Sequence, residues 1–273
     1  LQMHWSDRVT GKVAPTYYLD SDTALYYYSF TDAYIAEQYR KLSPAQQARF
    51  EPMITGFNPA DMYAADHIRR VLQTYPGVFT GIGEFSIHKE FVSAKVSGDV
   101  ASLIDPAVDR IFDFTAESGL LSILHSDIHM PFVKPEFRRL YFDQAVALFR
   151  RHPNSTIIWA HTGLGRVVQP VSDHLAMLEE ILADPGLKHV YFDISWDEVA
   201  KYVVATPDAT RQTTALIEKY PDRFLFGSDN VALTEPQALF AVFNLYQPLW
   251  DALSPGASEA VRKGNFARLF DAA

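Results

Sequence analysis

Five ionisable side chains in this sequence each follow closely on a short apolar run. Glu84 ends Gly81-Ile82-Gly83-Glu84, His125 ends Ile123-Leu124-His125 and His161 ends Ile158-Trp159-Ala160-His161. Asp193 follows Val190-Tyr191-Phe192, and Asp229 follows Phe226-Gly227-Ser228. A charge placed at the end of a buried segment is costly unless it is paired or holds a metal. One such residue has an ordinary explanation: Glu84 pairing with Lys89 or Lys95, Asp229 capping the next turn, or a hydrogen-bonded histidine. Five in succession point to one shared polar site. Two imidazoles with two or three carboxylates make a nitrogen–oxygen donor set suited to zinc, manganese or iron, not copper(I).

The elements that would position these residues follow from hydrophobic patterning. Seven β-branched and aromatic runs, 24–30, 49–56, 78–85, 120–125, 156–161, 189–195 and 223–228, read as strands buried on both faces. Helical patterns lie between them, near 58–75, 106–119, 135–151, 167–183 and 207–220, with a last one over 258–270. Several stop at Pro-Gly, His-Pro, Asp-Pro or Tyr-Pro, where proline removes a donor and clashes with the preceding turn. Alternation of this kind predicts an α/β fold with parallel strands, and a (β/α)8 barrel is preferred. The doubly wound alternative lacks a glycine-rich phosphate turn after an early strand. A barrel needs eight strands, so its first strand is missing or truncated, with 1–5 its remnant or the whole strand upstream.

Composition narrows the classes. The chain has 273 residues, 48% of them hydrophobic, which supports a large core and excludes disorder. A single barrel domain over 1–273 is the expectation. The charge is −9, from 24 basic and 33 acidic residues without a basic cluster, so nucleic acid is a poor partner. No apolar run is long enough to span a membrane. Cysteine is absent, which removes thiol nucleophiles, disulfides and thiolate-bound metals. That composition suits cytosol and periplasm alike, with the cytosol favoured. A small-molecule substrate is the expected partner, and a homo-oligomer is left open.

The remaining histidines rank lower. His67, His152, His174 and His189 fall on helices or helix ends and read as solvated. His88 and His129 lie in rim loops just beyond strand ends, where a substrate would pass. Arg166, after Gly163-Leu164-Gly165, suits an anion at a helix start or a plain turn. The loops 11–22 and 86–102 are long enough to line a pocket or cover it.

The series Gly81-Ile82-Gly83-Glu84, His125, His161-Thr162-Gly163, Tyr191-Phe192-Asp193 and Phe226-Gly227-Ser228-Asp229, closing with Gly264-Asn265-Phe266, resembles the amidohydrolase superfamily. The likeness is nearest to its amidohydrolase 2 branch of metal-dependent hydrolases and decarboxylases, and runs from about residue 49 to the end. It implies that His125 and His161 are metal ligands on the fifth and sixth strands. Glu84 would be a carboxylate between two metals. Asp229 would be both the eighth-strand ligand and the general base, with His161 beside it as a catalytic group. The implied cofactor is one or two divalent ions, zinc first, with manganese or iron as alternatives. A departure stands at the start: the family's His-x-His pair is reduced here to Gln2-Met3-His4, and the pair is expected upstream of Leu1. Without it the site would hold one ion at most.

The resemblance leaves three functions to weigh. The leading one is hydrolysis of a small amide, lactone or ester by metal-activated water. The second is non-oxidative decarboxylation of an aromatic or unsaturated carboxylic acid, with His129, Arg166 and Trp196 holding carboxylate and ring, and His88 also at the substrate. The third is a barrel that binds a ligand without catalysis.

Overall fold

Runs of β-branched and aromatic residues that bury both faces form a parallel sheet with helices packed on it. The computed structural model describes residues 30–89, 102–230, 235 and 237–270. Among the described residues six strands are formed: β1 (Met53–Ile54), β2 (Gly81–Ser86), β3 (Leu121–His125), β4 (Thr156–Trp159), β5 (Val190–Asp193) and β6 (Phe224–Leu225). All pair in parallel, in the order β1-β2-β3-β4-β5-β6. A doubly wound sheet reverses strand order at its centre. This one advances in a single direction, as a barrel wall does. The run 24–30 lies outside the described residues except Phe30, which leads into the helix Thr31–Arg40. The segments 1–5 and 11–22, and residues 90–101 of the second long loop, also lie outside them.

Helix boundaries follow local chemistry. Pro106–Ser118 opens with the Asp105 side chain accepting from the Ala107 N–H, and closes on Gly119 in the left-handed region. Thr206 caps Pro207–Lys219 in the same manner. Other expected helices start late. The one expected from residue 58 begins at Ala64, because Asn58 and Asp61 each accept from the N–H two residues on and spend the stretch in turns. The one expected from 167 begins only at His174. Residues 135–151 divide into a short turn, Pro135–Phe137, and the helix Leu140–Arg151. The last helical stretch passes from Pro255–Glu259 through a π-turn, Ala260–Gly264, into Asn265–Phe270. Thr31–Arg40, Asp197–Val203, Gln237–Leu245 and Gln247–Ala252 are helices that the patterning did not reveal. No helix among the described residues is long and apolar enough to cross a membrane.

The two faces of the sheet bury different residues. Ile157, Trp159, Val190, Phe192 and Phe224 pack outward under the helices, with Trp159 wholly enclosed among Phe142, Phe149 and Phe192. Leu121, Ile158 and Leu225 form a separate cluster on the opposite face, joined by Phe270 of the last helix. By strand alternation His125 shares that inner face with Leu121 and Ile123, and Asp193 shares it with Tyr191.

On β2 simple alternation would turn Glu84 outward together with Ile82. The pairing with β3 instead shifts register between Ile82 and Phe85. Ile82 and Phe85 both pack under the helices, and Glu84 between them is released to the inner face. The shift requires Gly83. Its φ is +124°, and a Cβ there would stand 2.4 Å from the Ile123 carbonyl oxygen, a backbone atom that cannot give way. Gly83→Ala is therefore expected to cost more than about 2 kcal/mol through backbone strain and overlap. Urea unfolding checks this: the midpoint should fall clearly, whereas an unchanged midpoint would show that β2 needs no glycine there.

Candidate metal centre

Each polar side chain of the inner face is aimed by the end of its strand. His125 is the last residue of β3. His161 lies just beyond β4 in the turn Ala160–Gly163, where it and Thr162 take left-handed backbone angles, φ 57° and 52°. Gly163 closes that turn at φ +73°, with room for no Cβ against Ile128 and Trp159. Asp193 ends β5, and Asp229 follows β6 at φ 48°. Trp196, at φ 89°, completes a set of strained positions at the same end of the sheet. Strain of this kind persists only where the surroundings over-determine it.

These residues converge. Glu84 Oε1 stands 2.9 Å from His125 Nδ1 and Glu84 Oε2 stands 3.2 Å from His161 Nε2. Lys89 Nζ reaches Glu84 Oε1 at 3.2 Å. Asp193 faces the other side of His161, with Oδ2 3.3 Å from Nδ1, and the Ser195 hydroxyl donates to the same oxygen at 2.5 Å. Asp229 Oδ2 lies 3.8 Å from His161 Nε2. Both histidines are about 1% exposed. Glu84, Asp193 and Asp229, each half-buried, thus surround one buried imidazole.

The electrostatics follow from that crowding. Burial alone would lower His161, but hydrogen bonding and charge from Asp193 and Glu84 push it up to about 10. Burial would raise Glu84, yet the two histidines and Lys89 hold it well below the usual carboxylate range. Asp229 is raised, chiefly by burial; the nearby charge on His161 opposes the rise while Glu84 and Asp193 add to it. A cation is needed among these carboxylates, and without a metal a proton on His161 fills the role.

Glu84, His125 and His161 each offer a ligand atom, and the three atoms lie within 4.8 Å of one another. His161 Nε2 is buried between two carboxylates, 3.2 Å from Glu84 Oε2 and 3.8 Å from Asp229 Oδ2, with no well-aligned hydrogen bond to either. An orphaned imidazole nitrogen in that position fits a divalent cation, and the donor chemistry is that of zinc, manganese or iron. Asp229 stands beside this trio rather than within it.

The other residues singled out from the sequence are distributed more widely. Trp196 reaches the site, its ring centroid 5.0 Å from that of His161. Arg166 lies 5.2 Å from the Trp196 ring centroid and is largely exposed, 3.8 Å from Glu198. It follows a turn rather than opening a helix, which corrects the helix-start reading. His88 is buried and stacked on Tyr141 at 3.7 Å. His129 has both ring nitrogens at 2.9 Å from backbone carbonyl oxygens, of Met130 and Gln169, and braces two loops. His152 and His174, expected to be solvated, are buried. Asp109 and Asp113 stand at the two ring nitrogens of His152, 2.7 and 3.1 Å away, and give this buried side chain polar partners. Ser195 is the contributor that the patterning left out of the site, and Lys89, read only as an ordinary partner for Glu84, joins it at the rim. The spacing Asp193-x-Ser195, with the Ser195 N–H also donating to Asp193 at 2.9 Å, was the available signal.

Comparison with known proteins gives a consistent placement. A family model described as Amidohydrolase matches residues 45–272. A search of curated proteins gives no match. Among solved structures, a 5-carboxyvanillate decarboxylase from Sphingomonas paucimobilis is 18% identical, with a TM-score of 0.52 over 88% of this chain and 71% of that one. A protein from Pseudomonas putida assigned as a 2-pyrone-4,6-dicarboxylic acid hydrolase is 14% identical, with a TM-score of 0.55 over 89% and 78%. An amidohydrolase from Burkholderia multivorans with bound zinc is 17% identical, with a TM-score of 0.55 over 83% and 75%. At these identities the likeness is one of fold.

The raised His161 sets a pH dependence. In metal-free protein its proton stabilises the fold fully below the ordinary value of 6.5, and that stabilisation is lost as pH rises through about 10. The denaturant midpoint of chelator-treated protein should therefore fall from pH 7 to pH 10, and fall less in His161→Gln. A midpoint equally flat in both proteins would mean that the carboxylates do not hold the imidazolium.

Proposed function

The chain belongs to the amidohydrolase family, and on that footing we propose that it is a metal-dependent hydrolase directing water onto a small amide, lactone or ester. The observation that carries this reading is the spread of the Glu84 carboxylate, with one oxygen toward His125 and the other toward His161. A carboxylate so placed can offer both oxygens to one cation or one oxygen to each of two. Glu84, His125 and His161 would hold the ion, zinc first and manganese or iron next, with Asp229 completing the ligand set. A divalent cation bound there supplies Lewis acidity, lowering the pKa of a water toward about 7 and polarising the reacting bond.

The chain's own groups do the rest. Asp229, beside His161 at the end of its strand, can take a proton from the attacking water. The same carboxyl then returns that proton to the departing amine or alkoxide. Asp193 and Ser195 fix the His161 ring so that Nε2 stays turned toward Glu84 and Asp229. Trp196 walls the site beside His161 and offers a ring face to the substrate.

A second reading, decarboxylation of an aromatic or unsaturated acid, is favoured by one observation. Lys89 and Arg166 lie 5.8 and 5.2 Å from the Trp196 ring centroid, so two cations flank an aromatic face beside the trio. That arrangement suits a carboxylate carried on a ring. Its fold neighbour from Sphingomonas paucimobilis is a decarboxylase. Both ring nitrogens of His129 are taken by backbone carbonyls, so it is not called on for the carboxylate, and the buried His88 is stacked on Tyr141.

Product analysis separates the two. Incubation with amides, lactones, esters and aromatic acids should release a free acid with an amine or alcohol, whereas carbon dioxide would establish the lyase. Asp229→Asn should lower turnover by about 10²–10⁴-fold with the circular dichroism spectrum and thermal midpoint retained. Turnover near that of the parent would remove Asp229 as the base.

A further inference from the structure

A cavity of about 360 Å³ lies between the helices His174–Ala183 and Pro207–Lys219, away from Glu84, His125 and Asp229. Its size falls within the range of small-molecule pockets. Leu178, Val203, Leu216 and Phe224, all buried side chains, form apolar walls. His174 is set among them, about 5% exposed, with Nδ1 buried and lacking a hydrogen-bond partner. A buried polar atom without a partner carries a desolvation cost that a bound group could relieve. The helix that His174 begins has no side-chain cap, and its first turn lines the same cavity.

The chemistry of an occupant follows from these groups. Burial, with some repulsion from His129, lowers His174 to about 4, so the ring is neutral near pH 7 and offers one donor and one acceptor. A hydroxyl donates and accepts at once, and so satisfies either tautomer. Asp173, also on the lining, is paired with Arg138 through Oδ2 at 2.7 Å and leaves Oδ1 as a buried acceptor without a partner, which suits a donor and not an anion, and the apolar walls disfavour a cation. We propose that this cavity is a second binding site, for a small neutral molecule with an apolar body and one hydroxyl, such as a simple phenol. Thr162 and Ile194 line it too, and each adjoins a residue of the metal centre in sequence, His161 and Asp193 respectively. The site is separate from the proposed catalytic one and backs onto its loops.

The probes are 4-ethylphenol and ethylbenzene, which differ only by the hydroxyl, titrated calorimetrically into the full chain. The phenol should bind saturably, about tenfold or more tighter than ethylbenzene. Filling the cavity by His174→Phe, or from the opposite helix by Ala209→Phe, should weaken the phenol about tenfold or more. His125→Ala should leave its affinity unchanged. Absence of saturable binding, equal affinity for the two probes, or retention in a folded cavity-filled variant would overturn the proposal. Loss in His125→Ala would place the phenol at the metal centre and also overturn it. None of these outcomes depends on whether the protein is a hydrolase.

Discussion

The arrangement depends on placing Glu84, Asp193 and Asp229 around a single buried imidazole. Half-buried carboxylates set this close repel one another and lose part of their hydration together, which is costly unless positive charge is supplied. His161, pushed up to about 10 by Asp193 and Glu84, provides one proton's worth. Lys89 at 3.2 Å from Glu84 provides more, at the rim. Neither charge occupies the point that His125, His161 and Glu84 jointly face. The physical case for a divalent cation rests on that shortfall as much as on the identity of the donors.

The fold holds this unfavourable cluster by rigidity elsewhere. Trp159 and Phe192 lock β4 and β5 against the helices, so that His161 and Asp193 emerge from strands that cannot shift. The Trp159 indole also donates to the Ser126 carbonyl at 2.7 Å, tying β4 to the segment after β3 and its His125. Left-handed backbone at His161, Thr162, Trp196 and Asp229 then turns each side chain away from the course of its strand. Strain is concentrated where chemistry is expected, and close-packed aromatic contacts hold it in place.

Much of this was legible in the sequence, for a clear reason. Parallel strands buried on both faces appear as continuous apolar runs, and a charge just after such a run has one place to be. Glu84, His125, His161, Asp193 and Asp229 were located in that way, each near the end of its strand. The face on which Glu84 lies was not legible, because it follows from a register shift against β3, a partner about forty residues on. Helix starts near 64 and 174 were read too early, since consecutive side-chain turns and a proline occupy the stretch ahead of them. His152 and His174 looked solvated because the acids and apolar walls that bury them belong to other helices. Lys89 approaches Trp196 only when β2 and β5 are assembled in one sheet.

The central claim is that Glu84, His125 and His161 together hold a divalent cation. Its direct test is metal content, measured by plasma mass spectrometry on protein purified without chelators and then re-equilibrated with zinc or manganese. The account predicts at least about one tightly held equivalent, lost in a folded His125→Ala, His161→Ala double variant. Protein that retains no metal after exposure to either ion, or a double variant that retains as much as the parent, would contradict it.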